Sequence, residues 1–458
     1  MKGITDKEDI DELLSRGVGE FVDPEGVFRK KLAENPGKIV IKFGVDPTRP
    51  DLHLGHAVIL HKLRQFQELG AKIIFLIGDI TAQIGDPTGK SKIRPDINLG
   101  EISKNMKTYL EQVVKILKTD EKVFSWTVNS DWLVSINDIV APVRKLDFKE
   151  NGKVIYTTPE ALAENNIFNK AGWWLETRKQ KGEINNYTLL SLLAILRKIT
   201  FNRLIERDMF QDRIKEGLPV YMHEMMYPVI QGIDSNAISN IFGSCDLEVG
   251  GTDQLFNMLV GREVMQMNKK VPQAVLSFKL LEGTDGKEKM SKSLDNYIGI
   301  TDEPNDMYGK VMSIPDSSIG NYFELCTFTP IAEVENIRQG LKENSLHPKE
   351  IKMKLSKQIV AIYHGEEKAD KAEKNFVNTF QKGEIPEEMT EVVKEGEATL
   401  MDLLVKAKIL SSKGDFRRLV EEGAISDLQA DKKITDPNFV PKSGMKFKIG
   451  KKRFVRIK

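Results

Sequence analysis

Short apolar runs alternate with stretches of helical period from residue 39 to about residue 300. The apolar run at 39–45 is followed by a helical pattern over 56–69, and the run at 72–77 is followed by another over about 101–118. Short strands that alternate with longer helices are typical of parallel βαβ units. The pattern therefore predicts an α/β fold with a doubly wound parallel sheet, in which ligands bind beyond the carboxyl ends of the strands.

The pattern changes after residue 302. Strand patterns give way to amphipathic helices, for example Ile331–Lys342 and Pro348–His364, and these are followed by a stretch rich in Pro and Glu. The last residues combine two short helical patterns with a pair of alternating strands. We predict an α/β domain at 1–302, a helical domain at 303–383, a linker at 384–396 and a small α+β domain at 397–458.

Charge is distributed unevenly between these segments. The whole chain has a formal net charge of +1, but residues 398–458 hold 15 Lys and Arg against 7 Asp and Glu, a net charge of +8 that leaves −7 for the rest. A basic module on a mildly acidic body indicates contact with a polyanion at this end of the chain. The alternative is an ordinary basic tail.

Length and composition narrow the class of protein. At 458 residues the chain exceeds the size of a single core, so two or three domains are expected. No apolar run approaches the roughly 20 residues that span a bilayer, and the N-terminus lacks a secretory apolar stretch, so we expect a soluble, intracellular protein. The two cysteines, Cys245 and Cys326, have no metal-ligand spacing and predict neither a disulfide framework nor a zinc site.

The first candidate motif is His53-Leu54-Gly55-His56, which lies between a predicted strand and a predicted helix. Residues three apart share one helix face, so both imidazoles point to the same side of the first turn. The positive end of the helix favours phosphate, and Gly55 allows a ligand to approach the backbone. Alone, this short motif is a weak signal.

The second candidate motif is Lys289-Met290-Ser291-Lys292-Ser293. The turn-forming residues Gly283, Asp285 and Gly286 just before it predict a loop. Two lysines on a mobile loop suit a pyrophosphate group whose charge grows as it leaves. A solvated basic loop is the alternative for this motif alone. The two motifs together, in this order, favour a site that binds a nucleoside triphosphate and uses cations rather than a covalent nucleophile.

With these motifs the sequence resembles the class I aminoacyl-tRNA synthetases, and within them the bacterial type of tyrosyl-tRNA synthetase. The resemblance extends from about Ile39 to the C-terminus. Besides the two motifs, four stretches carry it: Gly44–Thr48, Gly85–Lys90, Tyr227–Asp234 and Gly250–Gln254. It implies a Rossmann-like catalytic domain, an anticodon-side helical domain and an S4-like RNA-binding domain, in a cytoplasmic homodimer that attaches tyrosine to tRNA(Tyr).

The resemblance also implies roles in activating the amino acid with ATP. Thr48 and His53 would contact the γ-phosphate end, His56 the ribose, and a set of four cations the pyrophosphate: Lys90, Arg94, Lys289 and Lys292. The remaining ATP-binding positions would be Gly55, Gly251, Asp253, Met290, Ser291 and Ser293. Mg²⁺ would accompany ATP through its phosphates and water, with no protein cage and no tightly bound cofactor.

A further set of positions would hold the amino acid. Asp86 would accept from its ammonium group, with Tyr227 and Gln231 beside it, and Gln254 would lie near its carboxylate. Asp234 would accept from a tyrosine hydroxyl, although the related tryptophanyl enzymes use an acid for the indole N–H, so this residue does not decide between the two substrates. The match across the whole body and the basic module favour tyrosine.

Two local features depart from simple expectations. The stretch Gly85–Ser91 is not a Walker A loop, because three residues rather than four separate its glycines. The family often has a second hydroxyl partner, a tyrosine two residues before Gly44, where this chain has Lys42. How a tyrosine hydroxyl is held besides Asp234 is therefore open.

The resemblance lapses in an insertion at about 137–183. This segment contains Trp173 and Trp174 beside Arg178, Lys179 and Lys181. Stacking on tRNA is one interpretation, and a structural appendage that packs on the body is the one we favour.

Two other functions compete with the synthetase. One is an RNA-binding scaffold that keeps the fold without catalysis, and the intact histidine and lysine motifs count against it. The other is a small-molecule adenylyl- or cytidylyltransferase that acts without tRNA, for which the helical domain and the basic module would have no task.

Overall fold

The structure is a computed structural model that describes residues 7–86, 99–133, 147–149, 153–155, 189–381, 389–407, 409–410, 412–430, 432–450 and 453–458. The chain divides into two compact units, Met1–Asp302 with Ile314–Ile351, and Glu303–Ser313 with Lys352–Lys458. The predicted helical domain at 303–383 coincides with neither unit. Residues 314–351 group with the α/β part partly because Tyr322 and Ser318 donate hydrogen bonds to Glu282, at 2.7 and 2.6 Å. The division into functional domains stays a prediction.

The described residues form thirteen strands and seventeen α-helices, besides short 3-10 and π segments. The strands are β1 (Val18–Val22), β2 (Val40–Val45), β3 (Lys72–Ile77), β4 (Phe124–Val128), β5 (Asp147–Lys149), β6 (Lys153–Ile155), β7 (Leu247–Gly251), β8 (Ala274–Phe278), β9 (Thr390–Val392), β10 (Ile425–Asp427), β11 (Lys432–Lys433), β12 (Lys446–Ile449) and β13 (Arg453–Ile457). The helices are α1 (Lys7–Leu13), α2 (Val27–Glu34), α3 (Leu54–Glu68), α4 (Thr81–Ile84), α5 (Leu99–Val113), α6 (Leu189–Leu196), α7 (Phe201–Ile205), α8 (Asp208–Lys215), α9 (Met222–Phe242), α10 (Leu255–Met267), α11 (Pro304–Met312), α12 (Ile319–Cys326), α13 (Ile331–Lys342), α14 (Pro348–His364), α15 (Glu366–Phe376), α16 (Leu400–Lys406) and α17 (Lys413–Glu421).

The first unit is built on a six-stranded sheet with the order β1-β8-β7-β2-β3-β4. Five of its strands are parallel, as predicted, and β1 adds an antiparallel edge that the pattern did not predict. The chain runs from β2 outward through β3 to β4 and then returns to β7 on the other side of β2. The strand order therefore reverses between β2 and β7, which is where open α/β sheets bind ligands.

The central strands are mostly apolar because both faces of the sheet are covered. In β3, the five residues from Ile73 to Ile77 are buried, and in β2 the first four are buried. Helix α9 packs over the sheet and contributes Val229, Ile233 and Ile238 to the core. Helix α3 buries the side that carries Leu54, Leu60 and Leu63. These elements hold the carboxyl ends of β2, β3 and β7 in fixed positions around one cavity.

The C-terminal part of the second unit has the predicted α+β composition. Two short helices, α16 and α17, begin at Thr399 and Ser412, whose side chains accept from the backbone N–H groups of Asp402 and Asp415. They accompany a five-stranded sheet with the order β11-β10-β12-β13-β9. The insertion predicted at 137–183 falls largely outside the described residues, where only the antiparallel pair β5 and β6 is described.

Candidate functional site

A cavity of about 710 Å³ opens at the carboxyl ends of β2, β3 and β7, at the point where the strand order reverses. Lys90, Arg94 and the side chain of Ser293 lie outside the described residues. The cavity brings together the other fifteen predicted site residues: Thr48, His53, Gly55, His56, Asp86, Tyr227, Gln231, Asp234, Gly251, Asp253, Gln254, Lys289, Met290, Ser291 and Lys292. Residues from distant parts of the chain therefore line one space.

His53 and His56 lie at the start of α3, with their rings 3.9 Å apart. The backbone N–H of His53 donates to His56 Nδ1 at 3.3 Å, so the two residues hold each other at the helix end. A Cβ on Gly55 would lie 3.0 Å from the His53 ring, so a side chain there would crowd the imidazole. The i, i+3 spacing thus places both rings at the mouth of one helix, as predicted.

Burial makes both imidazoles neutral at pH 7. Desolvation and then the neighbouring Lys292 lower the pKa of His56 to about 3, and burial lowers the pKa of His53 well below its usual value. The expectation that the histidines supply cations is therefore wrong for the structure described here. They can donate or accept hydrogen bonds, and the positive charge of the site comes from the lysines.

The two lysines of the downstream motif are held differently. Lys289 Nζ forms an ion pair with Asp253 Oδ2 at 2.7 Å. Lys292 Nζ is buried 5.5 Å from the centre of the Tyr109 ring, and burial lowers its pKa to about 8 although Asp51 opposes that shift. Lys292 Nζ and His53 Nδ1 are both buried without a hydrogen-bond partner among the described residues. Two such nitrogen atoms facing one cavity are a suitable binding place for an anion.

The loop that carries these lysines is anchored by Asn296. Its side-chain oxygen accepts from the Ser291 N–H at 2.8 Å, and its amide donates to Asp285 Oδ2 at 2.9 Å. The Met290 N–H donates to the Leu281 carbonyl at 2.7 Å, and the Met290 side chain is buried. The loop is therefore positioned from several sides in this conformation.

The Gly250–Gln254 stretch, at the end of β7 and just beyond it, forms a wall of the cavity. A Cβ on Gly251 would lie 2.6 Å from Asp253 Oδ1 and 2.8 Å from Leu280, so only glycine fits there without a shift. Gln254 Nε2 donates to Asp86 Oδ2 at 2.5 Å. The Arg207 guanidinium lies 3.7 Å from Asp86 Oδ1 and is itself buried. Sequence reasoning missed Arg207, which precedes α8 and has no motif around it.

Tyr227 and Gln231, on α9, each contact an acidic residue that lines the cavity. The Tyr227 hydroxyl donates to Asp46 Oδ2 at 2.8 Å, and Thr81 donates to the other oxygen of Asp46 at 2.7 Å. Gln231 Nε2 donates to Glu248 Oε1 at 2.9 Å. Asp46 and Glu248 therefore organise this part of the cavity, and neither was named among the predicted site residues.

Asp234 lines the cavity and is almost fully buried. Trp132 Nε1–H donates to Asp234 Oδ1 at 2.8 Å, and Trp132 is completely buried just after β4. Burial raises the pKa of Asp234 to about 7, while Lys42 and the Trp132 hydrogen bond act in the opposite direction. The cavity is therefore lined by a buried, hydrogen-bonded acid as well as by the lysines of the downstream motif.

The described residues offer little evidence of other kinds of site. In the described part of the chain no cluster of three or more His, Cys, Asp or Glu side chains could hold a metal ion. Within the same residues no helix is long and apolar enough to cross a bilayer. Cys245 and Cys326 are both buried free thiols, and burial raises the pKa of each thiol.

Comparison with known proteins gives consistent results. The chain is 38% identical to a tyrosine–tRNA ligase of Thermotoga maritima over 448 residues, which is 97% of this chain and 96% of that protein. It is 39% identical to a tyrosine–tRNA ligase of Moorella thermoacetica over 452 residues, 97% of this chain and 94% of that one.

Solved structures show the same fold. A mitochondrial tyrosyl-tRNA synthetase of Aspergillus nidulans superposes with a TM-score of 0.56 at 20% identity and covers 81% of this chain and 94% of its own. A tyrosyl-tRNA synthetase of Archaeoglobus fulgidus in complex with L-tyrosine superposes with a TM-score of 0.53 at 21% identity, covering 80% of this chain and all of its own. The family model described as tRNA synthetases class I (W and Y) matches residues 34–381. The chain therefore belongs to the class I tRNA synthetases of the tryptophan and tyrosine family.

Proposed function

We propose that this protein is a tyrosine–tRNA ligase, which joins L-tyrosine to ATP as tyrosyl-adenylate and then transfers tyrosine to the 3′ end of tRNA(Tyr). One observation carries the proposal: a single cavity is lined both by the lysines of the downstream motif and by a buried acid. We call the lysines with the two histidines the phosphate end (His53, His56, Lys289 and Lys292) and the acid with its neighbours the amino-acid end (Lys42, Trp132, Gln231, Asp234 and Glu248). The relatives at 38–39% identity over nearly the whole chain are named tyrosine–tRNA ligases.

The chemistry needs alignment and charge neutralisation rather than a nucleophile on the protein. A carboxylate oxygen of tyrosine attacks the α-phosphorus of ATP, the bond to the β-phosphate oxygen breaks, and pyrophosphate leaves with the electron pair. Lys292 and His53 offer buried nitrogen atoms to the departing group, and Lys90 and Arg94 join them in the proposal. Mg²⁺ enters as part of the ATP substrate.

In this scheme, Asp253 exchanges its partner Lys289 for the nucleotide. Asp253 occupies a proposed ribose position, but here it accepts from Lys289 at 2.7 Å. If a ribose hydroxyl takes Asp253, Lys289 is released toward the phosphates. Binding of the nucleotide would thus supply a second cation to the departing pyrophosphate, where charge stabilisation accelerates the reaction.

For the amino acid, we propose that Asp86 accepts from the ammonium group beside Tyr227 and Gln231, Gln254 lies near the carboxylate, and Asp234 accepts from the phenol. A site built to bond a hydroxyl rejects phenylalanine strongly because its buried acceptor would go unpaired. The alternative substrate is tryptophan, whose indole N–H could also reach an acid.

The test is ATP–pyrophosphate exchange with tyrosine, tryptophan and phenylalanine run separately on the purified chain. Exchange with tyrosine alone supports the proposal, and exchange with tryptophan alone would assign the other amino acid of the family. No exchange with any of the three would reject amino-acid activation. A Lys289→Ala, Lys292→Ala variant controls for contaminating enzyme.

The basic C-terminal segment, 397–458, supports the tRNA part of the proposal. We infer an S4-like RNA-binding domain from the net charge of +8 over residues 398–458 and from Arg417 and Arg418, which are exposed on α17. Arg417→Ser should lower tRNA charging by about threefold and leave exchange unchanged, as expected for a phosphate contact. The matched control is Lys30→Ser, an exposed cation in the first unit.

A homodimer in the cytoplasm completes the proposal. Thirteen large apolar side chains are exposed among the described residues, and six of them lie between residues 193 and 222: Leu193, Phe201, Ile214, Leu218, Tyr221 and Met222. This concentration on α6 to α9 supports a surface that a second copy covers. Sedimentation equilibrium tests it, and a monomer at micromolar concentration would reject it.

A further inference from the structure

Two opposite charges are buried side by side beneath the amino-acid end of the cavity. Lys42 on β2 and Glu248 on β7 are direct neighbours in the parallel ladder, at the point where the strand order reverses. Lys42 Nζ lies 2.9 Å from Glu248 Oε1, and the two side chains are 0% and 2% exposed. Both residues line the cavity. The pair is therefore part of the floor of the site.

The lysine of this pair is fully engaged. Its three ammonium hydrogens are matched by Glu248, by the backbone carbonyl of Gln231 at 2.8 Å and by Ser235 Oγ at 2.8 Å. Gln231 and Ser235 are one turn apart on α9. Lys42 therefore ties the central strand of the sheet to one particular turn of that helix.

The carboxylate of the pair holds the same turn from the other side. Glu248 accepts from Gln231 Nε2 at 2.9 Å and from Ser235 Oγ at 3.1 Å. It also accepts a short hydrogen bond from Gln273 Nε2. A Cβ at Gly261 on α10 would lie 3.1 Å from Glu248 Oε2 and 2.7 Å from Gln273 Nε2. The side chains of this network are therefore packed closely against α10.

The turn that is held in this way carries Asp234. Asp234 lies between Gln231 and Ser235 on α9, and Trp132 fixes one of its oxygen atoms from the side of β4. Burying an ion pair usually gains little stability over a well-packed apolar pair, because desolvation offsets the attraction. Its place directly under the turn with Gln231 and Asp234 suggests that it serves the site rather than the core.

We propose that Lys42 and Glu248 are positioning residues for a phenolic amino acid: by clamping the Gln231–Ser235 turn of α9, they aim Asp234 and the Gln231 side chain at the substrate. Lys42 stands at the position where the resemblance leads one to expect a tyrosine that bonds the hydroxyl directly. The chain thus replaces a direct contact with an indirect one. This inference rests on the proposed function.

A double-mutant comparison separates positioning from simple stability. Lys42→Met leaves Glu248 buried without its cation, whereas Lys42→Met with Glu248→Leu removes both charges at similar volume. The measurements are the thermal midpoint, and the KM for tyrosine, the KM for ATP and the preference for tyrosine over phenylalanine in ATP–pyrophosphate exchange.

We expect Lys42→Met to lower the thermal midpoint and the double variant to recover it. In the double variant, the KM for tyrosine should nevertheless stay about tenfold above the wild-type value, and the preference for tyrosine over phenylalanine should stay lower by a similar factor. The KM for ATP should be unchanged. Recovery of tyrosine KM and preference together with the midpoint would overturn the proposal, because the pair would then be structural only. If neither variant folds, Ser235→Ala takes their place, since it removes one contact to each charge and strands neither. An unchanged KM for tyrosine in Ser235→Ala would then overturn the proposal.

A second buried ion pair, which joins α8 to the first turn of α9, provides the control. Arg213 and Glu224 form two hydrogen bonds at 2.9 and 3.0 Å, are about as buried as Lys42 and Glu248, and do not line the cavity. Arg213→Met with Glu224→Leu should change the thermal midpoint without raising the KM for tyrosine. An equal rise in KM there would also overturn the inference. Exchange by the wild-type chain distinguishes the two proposals. If the wild-type chain shows no exchange with tyrosine, the proposed function is rejected. If its exchange is normal and the Lys42 and Glu248 variants behave like the Arg213 and Glu224 control, only the positioning role is rejected.

Discussion

The two ends of the cavity differ in how far their polar groups are paired. At the phosphate end, Lys292 Nζ and His53 Nδ1 are buried without a partner among the described residues. At the amino-acid end, Lys42 and Glu248 neutralise each other, and Asp234 already accepts from Trp132. The first end is suited to a group whose charge grows during the reaction, and the second to a neutral side chain that must be recognised before it. Rate should therefore depend on the first end and selectivity on the second.

The largest expected effect is at the phosphate end. Replacing Lys292 by Ala should lower the kcat of ATP–pyrophosphate exchange by about a factor of 10³ with little change in the KM for tyrosine, because the cation acts on the leaving group in the transition state. Steady-state exchange at varied tyrosine measures both constants. A large rise in the KM for tyrosine with unchanged kcat would contradict the division between the two ends.

Asp234→Asn tests the amino-acid end directly. An amide keeps the volume but loses the charge, so kcat/KM for tyrosine should fall by about a factor of 10² while the KM for ATP stays the same. Phenylalanine should lose far less, since it has no hydroxyl to bond. Competition between the two amino acids in one exchange assay measures the difference. Equal losses for both would show that Asp234 does not read the hydroxyl.

Trp132→Phe sharpens the comparison with a milder change. It removes the indole N–H that donates to Asp234 Oδ1 and leaves most of the buried volume filled. We expect the KM for tyrosine to rise by about threefold, as for one hydrogen bond that positions an acceptor. The kcat of exchange, which we expect to depend on Lys292, should stay constant. A fall in kcat without a rise in the KM for tyrosine would argue against the assignment of Trp132 to the amino-acid end.

The smallest expected effect is the change of stability with pH. This change has opposite signs for His56 at the phosphate end and Asp234 at the amino-acid end. The pKa of His56 is lowered to about 3 from 6.5, so between these values the unfolded chain binds more protons and stability falls as the pH falls. The pKa of Asp234 is raised to about 7 from 3.8, so the folded chain binds more protons and stability falls as the pH rises through that window.

Thermal midpoints at pH 5 and pH 7.5 measure these contributions. His56→Asn should reduce the loss of stability at pH 5, and Asp234→Asn should reduce the loss at pH 7.5, each relative to the wild-type chain. If both substitutions changed the difference between the two thermal midpoints in the same direction, the opposite pH dependence of His56 and Asp234 would be refuted.

Much of the site could be predicted because its residues lie in short motifs with a local cause. The i, i+3 spacing of His53 and His56 determines that both rings share the first turn of α3, and the apolar runs place that turn after a strand. The predicted helices Ile331–Lys342 and Pro348–His364 are confirmed with the same bounds. By contrast, the antiparallel edge strand β1 was not predicted, because five residues with mixed burial carry little periodic signal.

Other parts of the site had a signal that pattern reasoning did not use. Lys42 and Glu248 each interrupt a buried, otherwise apolar strand, and a charge in such a place requires a partner of opposite sign. Two such strands in one parallel sheet would have suggested the pair. Arg207 and Trp132 had no comparable signal, since a single arginine or tryptophan near a helix is common.

The sequence by itself determined the α/β alternation, the motifs at the ends of the strands, the basic C-terminal segment and the family, because each depends on residues close together in the chain. Only the tertiary structure decided that the histidines are neutral, that Lys289 contacts Asp253, and that Lys42 and Glu248 clamp the turn that bears Asp234. Burial and pairing arise when strands about 200 residues apart become neighbours, and no local pattern encodes a desolvation energy or a partner at that distance.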